Sequence, residues 1–434
     1  MRETMLIDII AGARPNFMKV APIIKALQAR GAAGGPLRYR LVHTGQHYDP
    51  RLSGAFFEQL GIPQPDVNLE VGSGTQAEQT AAIMTRYEAL LLEAPSRLCL
   101  VVGDVTSTMA CAIAAQKLCI PVAHVEGGIR SGDWSMPEEI NRMVTDSITN
   151  WFFTTSEFAN ANLRKAGVGN ERIHFVGNTM IDTLLANMER LRPPAFWDAL
   201  DLEPGGYFVI TLHRPANVDQ PEKLQALLSA IATGARGLPV LFPAHPRTAK
   251  VIERLGKASK SGTDHVFSRS VIPAGKPESS AGKATSQQAP SLSTQPPAHH
   301  PWPGSRLPGR DDEQDDGLDE TGLASFPNIR LVEPQPYLEF NYLVKHAKAV
   351  ITDSGGITEE TTVMGVPCMT LRDNTERPET VSMGTNALIG TDPAKLAPAL
   401  ERLFAGEWQT GAVPELWDGR TGERIVAALE SLLP

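Results

Sequence analysis

Short hydrophobic runs alternate with amphipathic stretches along most of the 434-residue chain. The short runs are typical of buried strands, and apolar residues three or four positions apart are typical of helices. In the first half the pattern predicts strands over 5–11, 38–43, 98–103, 121–125, 151–154 and 172–176, and helices over 17–29, 75–93, 107–118, 136–149, 156–166 and 178–191. In the second half it predicts strands over 207–212, 239–243, 328–332, 349–353 and 366–371, and helices over 221–233, 247–255, 336–346, 357–364, 395–404 and 421–432. This alternation predicts parallel sheets covered by helices on both faces.

A Pro- and Gly-rich segment over 192–206 interrupts the alternation and is interpreted as a linker. The sequence therefore predicts an α/β protein with two doubly wound, Rossmann-like domains. The first domain spans 1–191, the second spans 207–390, and C-terminal helices occupy 391–434. In such sheets ligands bind beyond the carboxyl ends of the strands, which predicts a site in the cleft between the domains.

The stretch 257–326 does not fit the pattern. It is rich in Ser, Pro, Gly and Gln, and it ends near the acidic run DDEQDDGLDE. This composition cannot repay the entropy of ordering, so we expect a disordered surface insertion within the second domain. Its adjacent pair His299 and His300 is interpreted as inert rather than as a metal site. A surface loop of this length adds little closure entropy, so the insertion is expected to be dispensable.

Composition narrows the function classes. The formal net charge is -9 and we find no basic stripe, which argues against a nucleic-acid partner. No apolar run reaches the roughly 18 residues of a membrane span, and the N-terminus is typical of a strand rather than a signal peptide. The four cysteines include no Cys-x-x-Cys pair and are interpreted as thiols in a reducing cytoplasm. We therefore expect a cytoplasmic protein with neither nucleic-acid nor membrane partners.

Cationic residues follow the first strand, in the segment GARPNFMK over 12–19. Gly12 permits a tight turn, and Arg14 and Lys19 place two positive charges near a helix N-terminus, which already favours anions. Solvated surface charges are the alternative interpretation.

Carboxylates follow the next two buried strands. Asp104 ends VVGD and is either a helix cap or a cleft residue. Glu126 lies beside two glycines, where core packing gives no reason for a carboxylate. Glu138 and Arg142 stand four residues apart on one helix face, either as a stabilising pair or as site residues. If the three carboxylates converge, their pKa values move apart, which suits general acid/base work.

Anion-binding features dominate the second half. His213 begins HRPANVD after a strand, and Ser354, Gly355 and Gly356 link a strand to a helix N-terminus that can cradle a phosphate. Two glutamates are expected in the first turn of that helix, and one of them could accept hydrogen bonds from ribose hydroxyls. The sequence lacks a Walker loop, a first-turn dinucleotide fingerprint and regular metal-ligand spacing. These residues together indicate that the second domain holds a phosphorylated nucleotide while the first presents carboxylates to its substituent.

Ten ordered segments resemble the non-hydrolysing UDP-N-acetylglucosamine 2-epimerases: GARPNFMKVAP, TGQHYD, VVGD, HVEGGIRS, MPEEINR, VGNTMID, TLHRPANVD, AHPR, DSGGITEE and RDNTERPE. They cover nearly the whole chain except the insertion. The resemblance implies a glycosyltransferase-B arrangement of two Rossmann-like domains, a homodimer, a UDP-sugar substrate and no cofactor. It also implies anti elimination of UDP through a 2-acetamidoglucal, followed by re-addition with inversion at carbon 2 of the sugar.

Residue roles carry over from the same resemblance. It implies the catalytic residues Asp104, Glu126, Glu138, Arg142 and His213. It implies the substrate-binding residues Arg14, Lys19, Phe340 near uracil, Ser354, Gly355 and Gly356 at the diphosphate, Glu360 at the ribose, and Arg377. Two departures stand out. Asn16-Phe17 replaces a common Glu-Ala, and His47-Tyr48-Asp49 replaces a His-Arg-Glu run found in members that a second UDP-sugar activates.

Four other functions compete with this interpretation. A related epimerase acts on a UDP-2,3-diacetamido-uronic acid, and a hydrolysing epimerase releases free N-acetylmannosamine. A UDP-sugar glycosyltransferase of the same architecture would not need the convergent carboxylates. A non-catalytic nucleotide-sugar sensor would not need them either.

Overall fold

Seven parallel strands form the first sheet of the computed structural model, which describes residues 4–45, 59–244 and 326–433. The strand order is β3-β2-β1-β4-β5-β6-β7. The strands are β1 (Met5–Ala11), β2 (Leu37–His43), β3 (Val67–Asn68), β4 (Leu98–Val102), β5 (Val122–Val125), β6 (Trp151–Thr154) and β7 (Ile173–Phe175). The helices are α1 (Arg14–Ala32), α2 (Gln76–Glu93), α3 (Thr106–Lys117), α4 (Pro137–Ile148), α5 (Glu157–Lys165) and α6 (Thr179–Asn187).

A second parallel sheet follows, with strand order β10-β9-β8-β11-β12-β13. Its strands are β8 (Phe208–Thr211), β9 (Val240–Pro243), β10 (Ile329–Val332), β11 (Ala349–Thr352), β12 (Cys368–Thr370) and β13 (Asn386–Leu388). Its helices are α7 (Pro215–Val218), α8 (Pro221–Gly234), α9 (Tyr337–His346), α10 (Gly355–Met364), α11 (Pro378–Ser382) and α12 (Leu396–Phe404). The chain then forms α13 (Thr421–Leu432). Two parallel α/β sheets confirm the predicted fold class.

The observed elements match the sequence pattern closely, and the differences have local causes. The helix predicted from residue 17 begins at Arg14, because Pro15 is compatible with a first helical turn. The edge strands β3 and β13 have two and three residues, too few to give a periodic pattern. The predicted helix over 247–255 and nearly all of the predicted insertion lie outside the described residues.

Central strands are buried on both faces, which explains their continuous apolar runs. All five residues of β4 are buried, and Ile7 and Ile9 of β1 are fully inaccessible. Burial of each such side chain stabilises the fold by roughly 1.5–3 kcal/mol. These rigid strands fix the positions of the loops that leave their carboxyl ends.

The C-terminal helix α13 returns from the second sheet and packs on α1 of the first. A Cβ at Gly422 would lie 2.6 Å from the Pro22 carbonyl oxygen, so the absence of a side chain permits this contact. The Gly422 N–H donates to the buried Asp182 carboxylate at 2.8 Å. Just before α13, the Trp417 indole N–H donates to the Thr155 carbonyl at 2.9 Å. The chain therefore passes between the two halves twice, near 188–195 and near 405–417.

Across the described ranges, no helix is both long and apolar enough to cross a membrane.

Candidate functional site

Loops from the carboxyl ends of β4, β5, β8 and β11 meet where the two sheets face each other. The loop after β12, over 371–377, reaches across to the first sheet. This edge carries the carboxylates and the phosphate-binding segment identified from the sequence.

Glu126 occupies the centre of this region. Its φ is +69°, and a non-glycine residue in the left-handed region costs roughly 1–3 kcal/mol, which often marks a functional position. Its Oε2 accepts hydrogen bonds from Lys19 Nζ at 2.8 Å and from Arg377 Nη2 at 3.1 Å. Its buried Oε1 has no hydrogen-bond partner among the described residues. Burial opposes ionisation, but the two cations outweigh it and hold the pKa of Glu126 below its ordinary value, so the carboxylate is ionised at neutral pH.

Asp104 stands beside this group and does not cap a helix. Val105 is the N-cap of α3, whereas the Asp104 carboxylate pairs with the Arg142 guanidinium. Burial opposes ionisation of Asp104, but Arg142, Lys19 and Arg377 together lower its pKa below the ordinary value. Lys19 and Arg377 therefore act on both carboxylates, and the charge of Asp104 acts on Glu126, so Asp104 and Glu126 converge as expected.

Glu138 does not form the expected pair with Arg142. Arg142 Nη1 instead donates to Glu139 Oε2 at 2.9 Å. Glu139 is buried, and the N–H groups of Ser131 and Gly132, which donate to its carboxylate at 3.0 and 3.1 Å, compensate for the lost hydration of its charge. Glu138 points to solvent, and its charge acts on Arg214 of the opposite half. Glu138 is therefore not part of the buried group formed by Asp104 and Glu126, and its place among the site residues stays a prediction.

His213 is oriented by a carboxylate that sequence reasoning did not select. Its ring Nδ1 lies 2.8 Å from Asp353 Oδ1, while the imidazole itself is 61% exposed. Asp353 is fully buried and also accepts the Arg214 N–H at 2.9 Å and Asn217 Nδ2 at 3.1 Å. Asp353 therefore fixes the ring while leaving its far edge open to the cleft.

The N-terminus of α10 is bare, in the sense that no side chain caps its first N–H groups. Ser354 is the N-cap residue but its side chain makes no capping hydrogen bond. A Cβ at Gly356 would lie 3.7 Å from Met180 Cε, whereas one at Gly355 would lie 2.8 Å from Glu376 Oε1. The first N–H groups of a helix lack intrahelical partners and favour anions. This segment can therefore receive a phosphate with its backbone.

The two glutamates of α10 lie in its second turn, not in the first as expected. The helix begins at Gly355, two residues earlier than predicted, and Glu359 and Glu360 are both buried. Glu360 Oε1 accepts a hydrogen bond from the Tyr337 hydroxyl at 3.2 Å. Burial outweighs the hydrogen bonds from Tyr337 and Asn341 and, with a smaller contribution from the Glu359 charge, raises the pKa of Glu360 to about 7.

Two residues of the segment over 372–379 connect the halves. Arg377 binds Glu126, and its Nε also lies 2.5 Å from Glu359 Oε1. Glu376 lies 2.5 Å from Arg372 Nη2 and 4.0 Å from Arg142 of the first half. Burial opposes ionisation of Glu376, but these guanidinium groups lower its pKa to about 2. Of the two glutamates in DSGGITEE, sequence reasoning selected Glu360 and gave Glu359 no role, and it missed Glu376, although the acidic residue within TERPE was a signal.

The structure gives few contacts for the other residues that were predicted to bind the substrate. Phe340 on α9 is partly buried against an apolar cluster that includes Tyr207 and Leu343. Arg14 is the first residue of α1, but its side chain lies outside the description, as do the segments AHPR beyond Ala244 and HYD. In the described part of the chain, no group of three or more His, Cys, Asp or Glu side chains is arranged to hold a metal ion.

Comparisons with known proteins agree with the motifs. A family model described as UDP-N-acetylglucosamine 2-epimerase matches residues 31–270 and 306–430. The UDP-N-acetylglucosamine 2-epimerase of Methanocaldococcus jannaschii is 34% identical over 98% of this chain and 99% of its own length. Its crystal structure in complex with UDP-GlcNAc and UDP superposes with a TM-score of 0.75, at 34% identity, and covers 98% of this chain and 100% of that one. The UDP-2,3-diacetamido-2,3-dideoxy-D-glucuronate 2-epimerase of Pseudomonas aeruginosa is 33% identical over 89% of this chain and 88% of its own length.

Proposed function

The chain belongs to the UDP-N-acetylglucosamine 2-epimerase family, and from that premise we propose that it interconverts UDP-N-acetylglucosamine and UDP-N-acetylmannosamine. The matches confirm the family, the fold and the enzyme class expected from the ten motifs. The observation that carries the proposal is the pair of ionised carboxylates, Asp104 and Glu126, opposite the bare N-terminus of α10.

The proposed reaction is an elimination followed by an addition. A carboxylate takes the proton from carbon 2, the electron pair forms a double bond between carbons 1 and 2, and the carbon 1–oxygen bond breaks as UDP leaves with its electrons. UDP then attacks carbon 1 of the 2-acetamidoglucal again while a proton reaches the opposite face of carbon 2. Inversion needs acid/base groups on two faces, and we assign the two convergent carboxylates to these faces.

We assign Asp104 and Glu126 to these proton transfers. Lys19 and Arg377 keep Glu126 ionised, and Arg142 does the same for Asp104. Each positioned acid or base typically contributes roughly 10²–10⁴-fold to the rate. Glu138 enters the proposal only as a third carboxylate on the rim of the cleft.

The nucleotide is assigned to the second half. The backbone of Ser354, Gly355 and Gly356 receives the diphosphate, and the open edge of His213 stabilises its charge as UDP departs. Glu360 takes the ribose hydroxyls in place of its Tyr337 bond. Phe340 is assigned to the uracil side and Arg14 to the phosphates, both from the family resemblance.

The direct test is proton NMR of the purified protein with UDP-N-acetylglucosamine in heavy water. We expect UDP-N-acetylmannosamine with deuterium at carbon 2 in both epimers. Release of free N-acetylmannosamine and UDP would identify a hydrolysing enzyme, and unchanged substrate would refute the proposal.

A second substrate is supported by the P. aeruginosa relative, whose 33% identity nearly equals that of the archaeal one. The alternative substrate is UDP-2,3-diacetamido-2,3-dideoxy-D-glucuronate. Comparing kcat/KM for both UDP-sugars under the same conditions decides between them, because specificity is the ratio of these constants.

We also propose a homodimer in the cytoplasm. All four cysteines are free, three of them buried, which fits a reducing compartment. Light scattering coupled to size-exclusion chromatography measures the mass of the particle in solution and tests the dimer. Fractionation of cells that produce the full chain tests the location.

A further inference from the structure

Arg377 lies between a carboxylate from each half of the molecule. On one side its Nη2 donates to Glu126 Oε2 at 3.1 Å. On the other side its Nε lies 2.5 Å from Oε1 of Glu359, which is 1% exposed. The Glu359 carboxylate also accepts a hydrogen bond from Asn178 Nδ2 at 2.9 Å. One guanidinium charge is thus shared between a residue of the acid/base pair and a residue of α10.

We propose that Glu359 is a positioning residue that couples the helix receiving the diphosphate to the Glu126 carboxylate through Arg377. The proposal rests on the proposed epimerase function. Glu359 lies in the second turn of α10, just beyond the bare Ser354–Gly356 segment, so it belongs to the same rigid element as the nucleotide site. It is too deeply buried to touch the sugar, so it acts through the guanidinium.

The charge of Glu359 decides how much of the Arg377 charge is available to Glu126. When Glu359 is ionised it competes for the guanidinium, which makes Glu126 a stronger base. When Glu359 is protonated, Arg377 acts on Glu126 alone, which lowers the affinity of Glu126 for a proton.

The groups that face Glu359 set the pH at which this change occurs. Burial, helped by the charges of Glu126 and Glu379 and opposed by those of Arg377 and Lys19, raises the pKa of Glu359 to about 7. Glu359 is therefore protonated below about pH 7 and ionised above it. Turnover in the wild type is accordingly expected to rise between about pH 6 and 8.

Glu359→Gln removes the charge at every pH while keeping an acceptor for Asn178. We expect kcat at pH 8 to fall by about tenfold and to lose its dependence between pH 6 and 8, with UDP affinity changed by less than about threefold. Glu359→Asp keeps the charge and should restore the dependence. Glu339→Gln is the matched control, because that glutamate on α9 pairs only with the exposed Arg192 among its described contacts and should leave the profile unchanged.

A second variant decides the question even if Glu359→Gln does not fold. Asn178→Asp keeps the oxygen that caps α6 through the Met180 N–H and places a second carboxylate against Glu359. Like charges raise the pKa, so the rising limb should move upward by about one pH unit.

The outcomes separate this proposal from the function itself. A wild type that exchanges no deuterium at carbon 2 refutes the epimerase function and the coupling together. An active wild type whose pH profile survives in Glu359→Gln, or fails to move in Asn178→Asp, refutes the coupling alone. Equal losses of kcat and UDP affinity in Glu359→Gln would identify a purely structural role.

Discussion

The carboxyl edges of the two sheets are built in opposite ways. At the first edge, Asp104 and Glu126 are held by ion pairs to Arg142, Lys19 and Arg377. At the second edge, the residues that open α10 are small and leave the backbone uncovered. Proton transfer requires side chains fixed in position and charge, whereas phosphate binding requires N–H groups at a helix end that no side chain caps.

The largest effect is expected from a substitution at the first edge that leaves the second edge unchanged. Glu126→Gln should lower turnover by roughly 10²–10⁴-fold, because an amide cannot exchange a proton with carbon 2. Calorimetric UDP affinity should stay within a few fold, since the nucleotide belongs to the other edge. Deuterium uptake at carbon 2 at the wild-type rate would show that the carboxylate is only structural, and Glu126→Asp serves as the charge-retaining control.

Substituting each of two adjacent glutamates at the first edge tests which of them pairs with Arg142. Glu139→Gln should reduce the free energy of unfolding by about 1–3 kcal/mol, because an NH2 group replaces one of the two oxygens that accept from Ser131, Gly132 and Arg142, and the Arg142 charge loses its counter-charge. The exposed Glu138→Gln should change it by less than about 0.5 kcal/mol. Urea unfolding measures both, and an equal loss in the two variants would contradict the assignment of Glu139 as the partner of Arg142.

The second edge is tested through Glu360, whose pKa is raised to about 7 from an ordinary value of 4.5. A raised acid pKa means that the folded state favours the proton. The stabilisation is therefore complete below 4.5 and is lost as the pH rises through 7. Relative to the wild type, Glu360→Gln should gain roughly 1–3 kcal/mol of stability between pH 5 and 8.

The same substitution should weaken UDP binding by about tenfold, because the ribose loses a charged acceptor. Urea unfolding at the two pH values and calorimetry with UDP provide the measurements. A variant that gains no stability at pH 8 would show that the folded protein does not raise the pKa of Glu360.

The smallest expected effect compares two adjacent glycines of the second edge, neither of which has a positive φ. Gly355→Ala places a methyl 2.8 Å from Glu376 Oε1, so the ion pair with Arg372 must shift, at a cost of about 1 kcal/mol. Gly356→Ala meets Met180 at an ordinary 3.7 Å and should be neutral or stabilising by about 0.5 kcal/mol in the free protein. Thermal unfolding distinguishes them, and a reversed order would contradict the packing.

The sequence predicted those features that depend on neighbours along the chain. Alternating apolar runs identified nearly every long strand and helix of the described residues. The segments VVGD, HVEGG and DSGG marked where strands end, because a carboxylate or a glycine there interrupts the apolar pattern.

Contacts between residues that lie far apart in the chain could not be predicted from the local sequence pattern. Spacing alone favoured Glu138 as the partner of Arg142, but the turn at Ser131 and Gly132 buries Glu139 instead. Nothing local pairs Asp353 with His213, because 140 positions separate them and only the parallel pairing of β8 with β11 brings them together. Glu359 was expected in the first turn of its helix, and its place in the buried second turn depends on where the helix begins.

The double passage of the chain between the halves has a mechanical consequence. The two segments that connect the halves, near 188–195 and near 405–417, together define one line, which is the rotation axis. The halves can rotate about that line without breaking a covalent bond, whereas sliding or complete separation would strain one of the two passages. Because α13 returns to α1, we expect any opening of the cleft to be a rotation about this line, and such a rotation would change the distance between Arg377 and Glu126.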